Sequence, residues 1–161
     1  MIIKRKLYPS TERLGKSMRE VVVTEKLDGS NLSIGKYQGE IYIATRNNIF
    51  KARDYKEKEV ERVIYKGLRD WLDKHLDTLE EVVVEGSWMV GEWIGMAHIK
   101  YPFNFTFNMF AKANVTGELE SFKNINYNRY LFKYVFVEQE IPDFIRLVPV
   151  VATFSAEPTI E

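Results

Sequence analysis

The residue types that could do chemistry in this chain begin with Lys26. It follows the β-branched run Val21-Val22-Val23-Thr24 and opens the string Lys26-Leu27-Asp28-Gly29-Ser30-Asn31. A run of that kind reads as a buried strand. A lysine at its end can hold its stem in apolar surroundings with the amine facing a cleft. Such burial disfavours the ammonium form and lowers the pKa, which is the requirement for an attacking amine. A surface lysine beside a turn is the ordinary alternative, so the rest of the chain must decide. Arg46, in Ala44-Thr45-Arg46-Asn47-Asn48, ends a strand, where its planar fork can reach a ribose or a phosphate. Glu92, in Val90-Gly91-Glu92-Trp93-Ile94-Gly95, is a carboxylate at a strand centre with glycines on both sides. Burying it is costly unless it accepts from hydroxyls or helps to bind a cation. Glu85, before Gly86, is a competing carboxylate in similar surroundings. Phe110 alternates onto one strand face with Thr106 and Asn108, where its ring could stack on a flat ligand.

These side chains need strands and turns to position them. Residues 1–20 read as a short strand and then a polar loop around Pro9, Gly15 and Ser17. Residues 21–46 read as a β-meander, with Asp28-Gly29 marking one tight turn and Gly35 and Gly39 flanking the next. From Ala52 to about Leu79, apolar residues at Val60, Val63, Ile64, Leu68, Trp71, Leu72 and Leu76 recur every three or four positions. That spacing predicts one amphipathic helix, with a break at Gly67. Strands are expected at Glu81–Gly86, Val90–Ile94 and Thr106–Ala111, helix near 125–138, and a last strand at Leu147–Thr153. The order predicts a mixed α+β fold with mostly antiparallel sheets.

With the elements in place, the string Glu25-Lys26-Leu27-Asp28-Gly29-Ser30-Asn31 resembles motif I of the covalent nucleotidyltransferases, the superfamily of ATP-dependent ligases and mRNA capping enzymes. The asparagine after Gly-Ser is similar to the RNA ligase branch. The strings around Arg46, Glu92 and Phe110 look like motifs Ia, III and IIIa, and the four together cover residues 20–112. The resemblance implies a nucleotidyltransferase (ATP-grasp-like ligase) core of antiparallel sheets flanked by helices, with the nucleotide cleft between sheets. It implies that Lys26 attacks the α-phosphate of ATP to form a lysyl-AMP phosphoramidate. It places Glu25 at the adenine edge, Asp28 and Asn31 at the neighbouring turn, Arg46 on the nucleotide and the phosphate end of the nucleic acid, Glu92 on the ribose and Phe110 against the adenine. Glu92 lies at the better offset from Lys26 than Glu85 does. The implied cofactors are ATP and Mg2+, and the implied partners are RNA ends, a 5′-phosphate and a 3′-hydroxyl.

The chain departs from the family pattern downstream. Residues 112–161 carry no EGxV-like acidic strand (motif IV) and no KxK pair of lysines (motif V). Glu157 and Glu161 lack the following glycine and strand, and Lys100 and Lys112 do not form the pair. The expectation is therefore a single adenylyltransferase domain over residues 1–161, truncated at the carboxyl end, a natural short form, or completed by a second chain. The alternative is a catalytically incomplete nucleotide- or RNA-end-binding module of the same fold. DNA ligase is the nearest enzymatic rival, disfavoured by the Asn31 context and by the lack of room for an OB-fold domain.

Composition narrows the rest. The 161 residues, 45% hydrophobic and 29% charged, suit one soluble domain. Net charge is zero, so a nucleic-acid partner needs a local basic patch. Cysteine is absent, which removes disulfides, thiolate zinc sites and a cysteine nucleophile. His75 and His98 are too far apart in sequence for a paired zinc motif. With no long apolar run at the amino terminus or elsewhere, a cytoplasmic location is the expectation.

Overall fold

Two-residue alternation builds the main sheet. In β3 (Ser30–Tyr37) and β4 (Glu40–Ala44), Leu32, Ile34, Ile41 and Ile43 enter one buried cluster, while Tyr42 and Ala44 enter another on the opposite face. The computed structural model describes residues 3–4, 20–24, 27, 29–46, 48–55, 65–95, 103–115, 118–123, 132–134, 141–148 and 150–155. Among them the large sheet runs β1 (Ile3–Lys4), β5 (Asn48–Lys51), β4, β3, β6 (Ser87–Ile94), β7 (Thr106–Asn114) and β8 (Phe132–Tyr134). A further strand, β9 (Ile145–Leu147), shares the outer edge of β7 with β8 and runs parallel to β7. The other pairings in the sheet are antiparallel. A second sheet pairs β2 (Glu20–Thr24) with β10 (Val150–Ser155), also antiparallel.

The expected meander over 21–46 is corrected by this topology. β2 does not pair with β3 but with β10, so the meander is β3–β4–β5, and residues 25–29 link two different sheets. The expected strand at Leu147–Thr153 is likewise two strands. β9 ends at Leu147, the Val148 N–H donates to the Met109 carbonyl at 2.9 Å, and β10 begins at Val150 in the other sheet. Near 125–138, where helix was expected, Phe132–Tyr134 is a strand, and the rest of that stretch lies outside the described residues.

The amphipathic segment breaks at Gly67, whose φ of 85° is left-handed, and α1 (Leu68–Val82) begins after it. A 3-10 turn (Ala52–Asp54) occupies the start of the expected helix, and residues 56–64 lie outside the described residues. Leu68, Trp71, Leu72 and Leu79 bury one stripe of α1 against the sheet. Each such side chain contributes about 1.5–3 kcal/mol by burial. Trp71 meets the rings of Trp93 and Phe144, both at 5.6 Å, and His75 stacks on Phe144 at 3.9 Å. Arg69 turns back to donate to the carbonyls of Ala52 and Tyr55, 2.8 and 2.7 Å, which ties α1 to the 3-10 turn. The strand expected at Glu81–Gly86 is instead the last turn of α1 and a connecting turn. Val83 N–H donates to the Leu79 carbonyl, and Val84 is 66% exposed, so this β-branched run has no sheet to pack on.

With α1 closing one face, the other face is left for the site. Its β6 start is covered by the short α2 (Leu119–Phe122), where Phe122 stacks on Trp88 at 4.6 Å and its carbonyl accepts from the Trp88 indole at 2.8 Å. Among the described residues no helix is long and apolar enough to cross a membrane.

Candidate functional site

Register places the polar side chains before any contact is considered. Asn31 of β3 lies opposite Glu92 of β6, and Glu92 lies opposite Asn108 of β7. Directly opposed residues share a face. Their strand neighbours Leu32, Trp93 and Phe107 all belong to the cluster under α1. The row Asn31–Glu92–Asn108 therefore stands on the face away from the helix. Glu92 is half-buried there, and Asn108 is 1% exposed. The Asn108 amide donates to the Thr106 carbonyl at 3.2 Å and to its hydroxyl at 3.1 Å. Those bonds make Asn108 part of the floor and leave Asn31 and Glu92 as the polar groups at the rim.

Phe110, two residues after Asn108, keeps its face, and an irregularity brings the next residue there as well. Val90 pairs with Ala111 but Gly91 pairs with Met109, so Phe110 is an extra residue in β7, a β-bulge. Ala111 is buried in the cluster around Trp88 and Val90, and Phe110 packs against that cluster too, so two consecutive residues serve one face. Phe110 also packs on a smaller cluster of Leu27, Ile94 and Val148, together with Phe103. Its ring thus joins the middle of the sheet to the end of β6.

That smaller cluster also locates the segment bearing the lysine. Leu27 is 5% exposed in it, and a Cβ on Gly29 would stand 2.6 Å from the Trp93 carbonyl oxygen and 2.7 Å from Ile94 Cδ1. The chain on both sides of position 28 is pressed against the end of β6, two residues from Glu92. Lys26, Glu25 and Asp28 themselves lie outside the described residues.

Arg46 stands exposed just past β4. Continuing the β3–β4 register by two residues would set it opposite Asn31. The strands part instead around Tyr65, which sequence reading did not single out. Its hydroxyl accepts from the Arg46 N–H at 2.9 Å and donates to the Asn31 carbonyl at 2.7 Å. A phenol 3% exposed thus stands in for the missing ladder bond and sets the spacing between two site residues. The only sequence signal was an aromatic with a polar tip two positions before a helix-breaking glycine. Tyr65→Phe is expected to leave both backbone groups without this partner and to cost about 1–3 kcal/mol, read as a lower urea midpoint with an unchanged m-value. An unchanged midpoint would show that the hydroxyl is not structurally engaged.

The rival groups have other work. Glu85 accepts from the N–H groups of Gln38 and Gly39, 2.6 and 2.9 Å, and so caps the β3–β4 turn rather than facing the row. Lys112 pairs in register with Met89, on the face that α1 covers. Lys100, Glu157 and Glu161 lie outside the described residues, as does His98. Among the described residues no three His, Cys, Asp or Glu side chains come together to hold a metal ion.

Comparison with known proteins adds the following. Residues 19–161 match the family model described as RNA ligase. No curated protein matches the chain. A solved structure of a Naegleria gruberi RNA ligase mutant with ATP and Mn is 18% identical over 87% of this chain and 38% of its own, with a TM-score of 0.44. An apo structure of another mutant RNA ligase from the same organism is 17% identical over 91% of this chain and 39% of its own, with the same TM-score. The chain thus spans under two-fifths of the length of either ligase.

Proposed function

This chain belongs to the RNA ligase family, and on that premise we propose that it is an ATP-dependent adenylyltransferase unit that prepares RNA ends for joining. The observation that carries the proposal is the row of Asn31 and Glu92 on one sheet face, with Phe110 beside it and Leu27 and Gly29 packed at the end of β6. Adenine would stack on Phe110, with Glu25 at its edge. Glu92 would accept from the ribose hydroxyls, with Asp28 and Asn31 at the adjoining turn, and Arg46 would direct its fork at phosphate. The nucleotide would sit between the large sheet and the β2–β10 pair, since position 26 falls in the sequence that links β2 to β3.

In the proposed reaction the Lys26 amine, in its neutral form, attacks the α-phosphorus of ATP. A nitrogen–phosphorus bond forms, the bond to the bridging oxygen breaks, and pyrophosphate leaves. AMP then passes to the 5′-phosphate of an RNA end, and a 3′-hydroxyl displaces it. The described residues supply no dedicated metal cage. Magnesium enters the proposal as the counter-ion of the triphosphate, which is how this ion is commonly held at such sites. The cytoplasm is the proposed setting.

Incubation with ATP labelled on the α-phosphate, in the presence of magnesium, followed by a denaturing gel, tests this directly. Label that stays with the protein is the expected result. Reversible nucleotide binding without retained label would reduce the chain to a binding module. No binding at all would remove the nucleotide from the account.

A further inference from the structure

The described residues include four arginines, and they divide cleanly. Arg53 pairs with Glu40 at 3.0 Å, and Arg69 pairs with Asp73 at 2.6 Å and with two carbonyls. Arg46 and Arg146 have no carboxylate or carbonyl partner among the described residues. Arg46 follows the end of β4, and Arg146 is placed on the site side of the sheet by its register. Arg146 lies in β9 opposite Asn108, so the row becomes Asn31–Glu92–Asn108–Arg146 across four strands. Its neighbours Ile145 and Leu147 pack into the cluster under α1, which confirms that Arg146 points the other way.

The Arg146 guanidinium is also held. Its Cζ lies 3.9 Å from the centre of the Phe103 ring, a stacked cation–π contact. Phe103 packs on Leu27, Ile94 and Val148, the cluster next to the lysine segment. A guanidinium stacked by one face keeps its N–H edge open, and that edge matches the oxygens of a phosphate. Arg146 is two strand spacings, about 10 Å, from Glu92, so one ligand can touch both. An exposed arginine with no counter-charge among the described residues, fixed against a ring beside a polar row, is arranged to receive an anion.

We propose that Arg146 is a phosphate-binding residue of this site, taking either the polyphosphate of the nucleotide or the 5′-phosphate of an RNA end. The proposal rests on the nucleotide reading given above. It also supplies a cation to a face that has no KxK lysine pair in residues 112–161.

Binding of four probes to the full chain tests it: ATP, adenosine, a short RNA with a 5′-phosphate and the same RNA with a 5′-hydroxyl. Arg146→Gln is expected to weaken at least one phosphate-bearing probe by roughly tenfold or more, the loss typical of a charged hydrogen-bonding partner. Adenosine binding should not change, Arg146→Lys should fall between, and Arg53→Gln, with the same loss of charge, should match the unsubstituted protein. Weaker ATP assigns the polyphosphate. A lost preference for the 5′-phosphate RNA over its 5′-hydroxyl twin assigns the RNA end. Unchanged binding of both phosphate-bearing probes overturns the proposal and leaves the nucleotide reading standing if adenosine and ATP still bind. A parallel loss of adenosine binding also overturns it, since the effect would then be structural. An unsubstituted protein that binds neither adenosine nor ATP refutes the nucleotide reading and this proposal with it.

Discussion

Lys26→Ala is expected to abolish any covalent AMP adduct while leaving the fold and the nucleotide pocket in place. The amine is the atom that forms the new bond in the proposed chemistry, and alanine offers no substitute. Removing such a nucleophile typically lowers the reaction by roughly a thousandfold or more, below detection for a single-turnover label. The proposed pocket rests on other groups, Asn31 and Glu92 in register and Phe110 at the bulge, so ATP should still bind. Stability should move little, by about 0.5 kcal/mol, because an amine directed at a cleft contributes little to packing. Intact-protein mass spectrometry and a thermal melt check both halves. An AMP adduct that survives in the variant would mean that another residue is the nucleophile. A collapsed melt would mean that Lys26 serves packing.

Much of the sheet was legible because period-two patterning survives wherever one face is buried. Leu32–Ile34 and Ile41–Ile43 alternate cleanly, and the structure pairs them as β3 and β4. Gly67 was legible as a break because its left-handed backbone suits glycine. Partner choice was not legible. Val21–Thr24 reads as a strand in any sheet, and only tertiary packing sends it to β10 rather than to β3. Val82–Val84 carried strand propensity without a partner, and the helix took its first residue.

The site divides along the same line. The face shared by Asn108 and Phe110 followed from alternation, and the register adds Asn31 and Glu92 to it. Glu85 and Glu92 looked alike as carboxylates beside glycine. Only the structure shows that Glu85 is engaged by the turn amides. Tyr65 and Arg146 were invisible to motif reading because each acts through a contact with a residue far away in sequence. Tyr65 reaches the Asn31 and Arg46 backbones, and Arg146 reaches Phe103. No local pattern encodes such contacts.

The other large effect is expected at Gly91, one residue before Glu92. Gly91 looks like a local spacer in sequence, but in the structure it faces the bulge formed at Phe110. A Cβ there would fall inside contact distance of the Asn108 carbonyl oxygen, 2.7 Å from its carbonyl carbon and 2.9 Å from Met109 Cα. All three are backbone atoms of the neighbouring strand, so no side-chain rotation can relieve the contact. Gly91→Ala must therefore push β6 and β7 apart or erase the bulge. Overpacking of this kind typically costs up to about 3 kcal/mol, which for a chain of this size lowers Tm by roughly 6–12 °C. Erasing the bulge would also end the arrangement in which Phe110 and Ala111 share one face, so the Phe110 ring should shift and ATP binding should weaken along with stability. Paired thermal melts and ATP titrations, run below the variant's transition, separate the two effects. A variant that melts like the unsubstituted protein would show that the bulge tolerates a side chain opposite it. Lost stability with full ATP affinity would show that Phe110 does not need the bulge to hold the base.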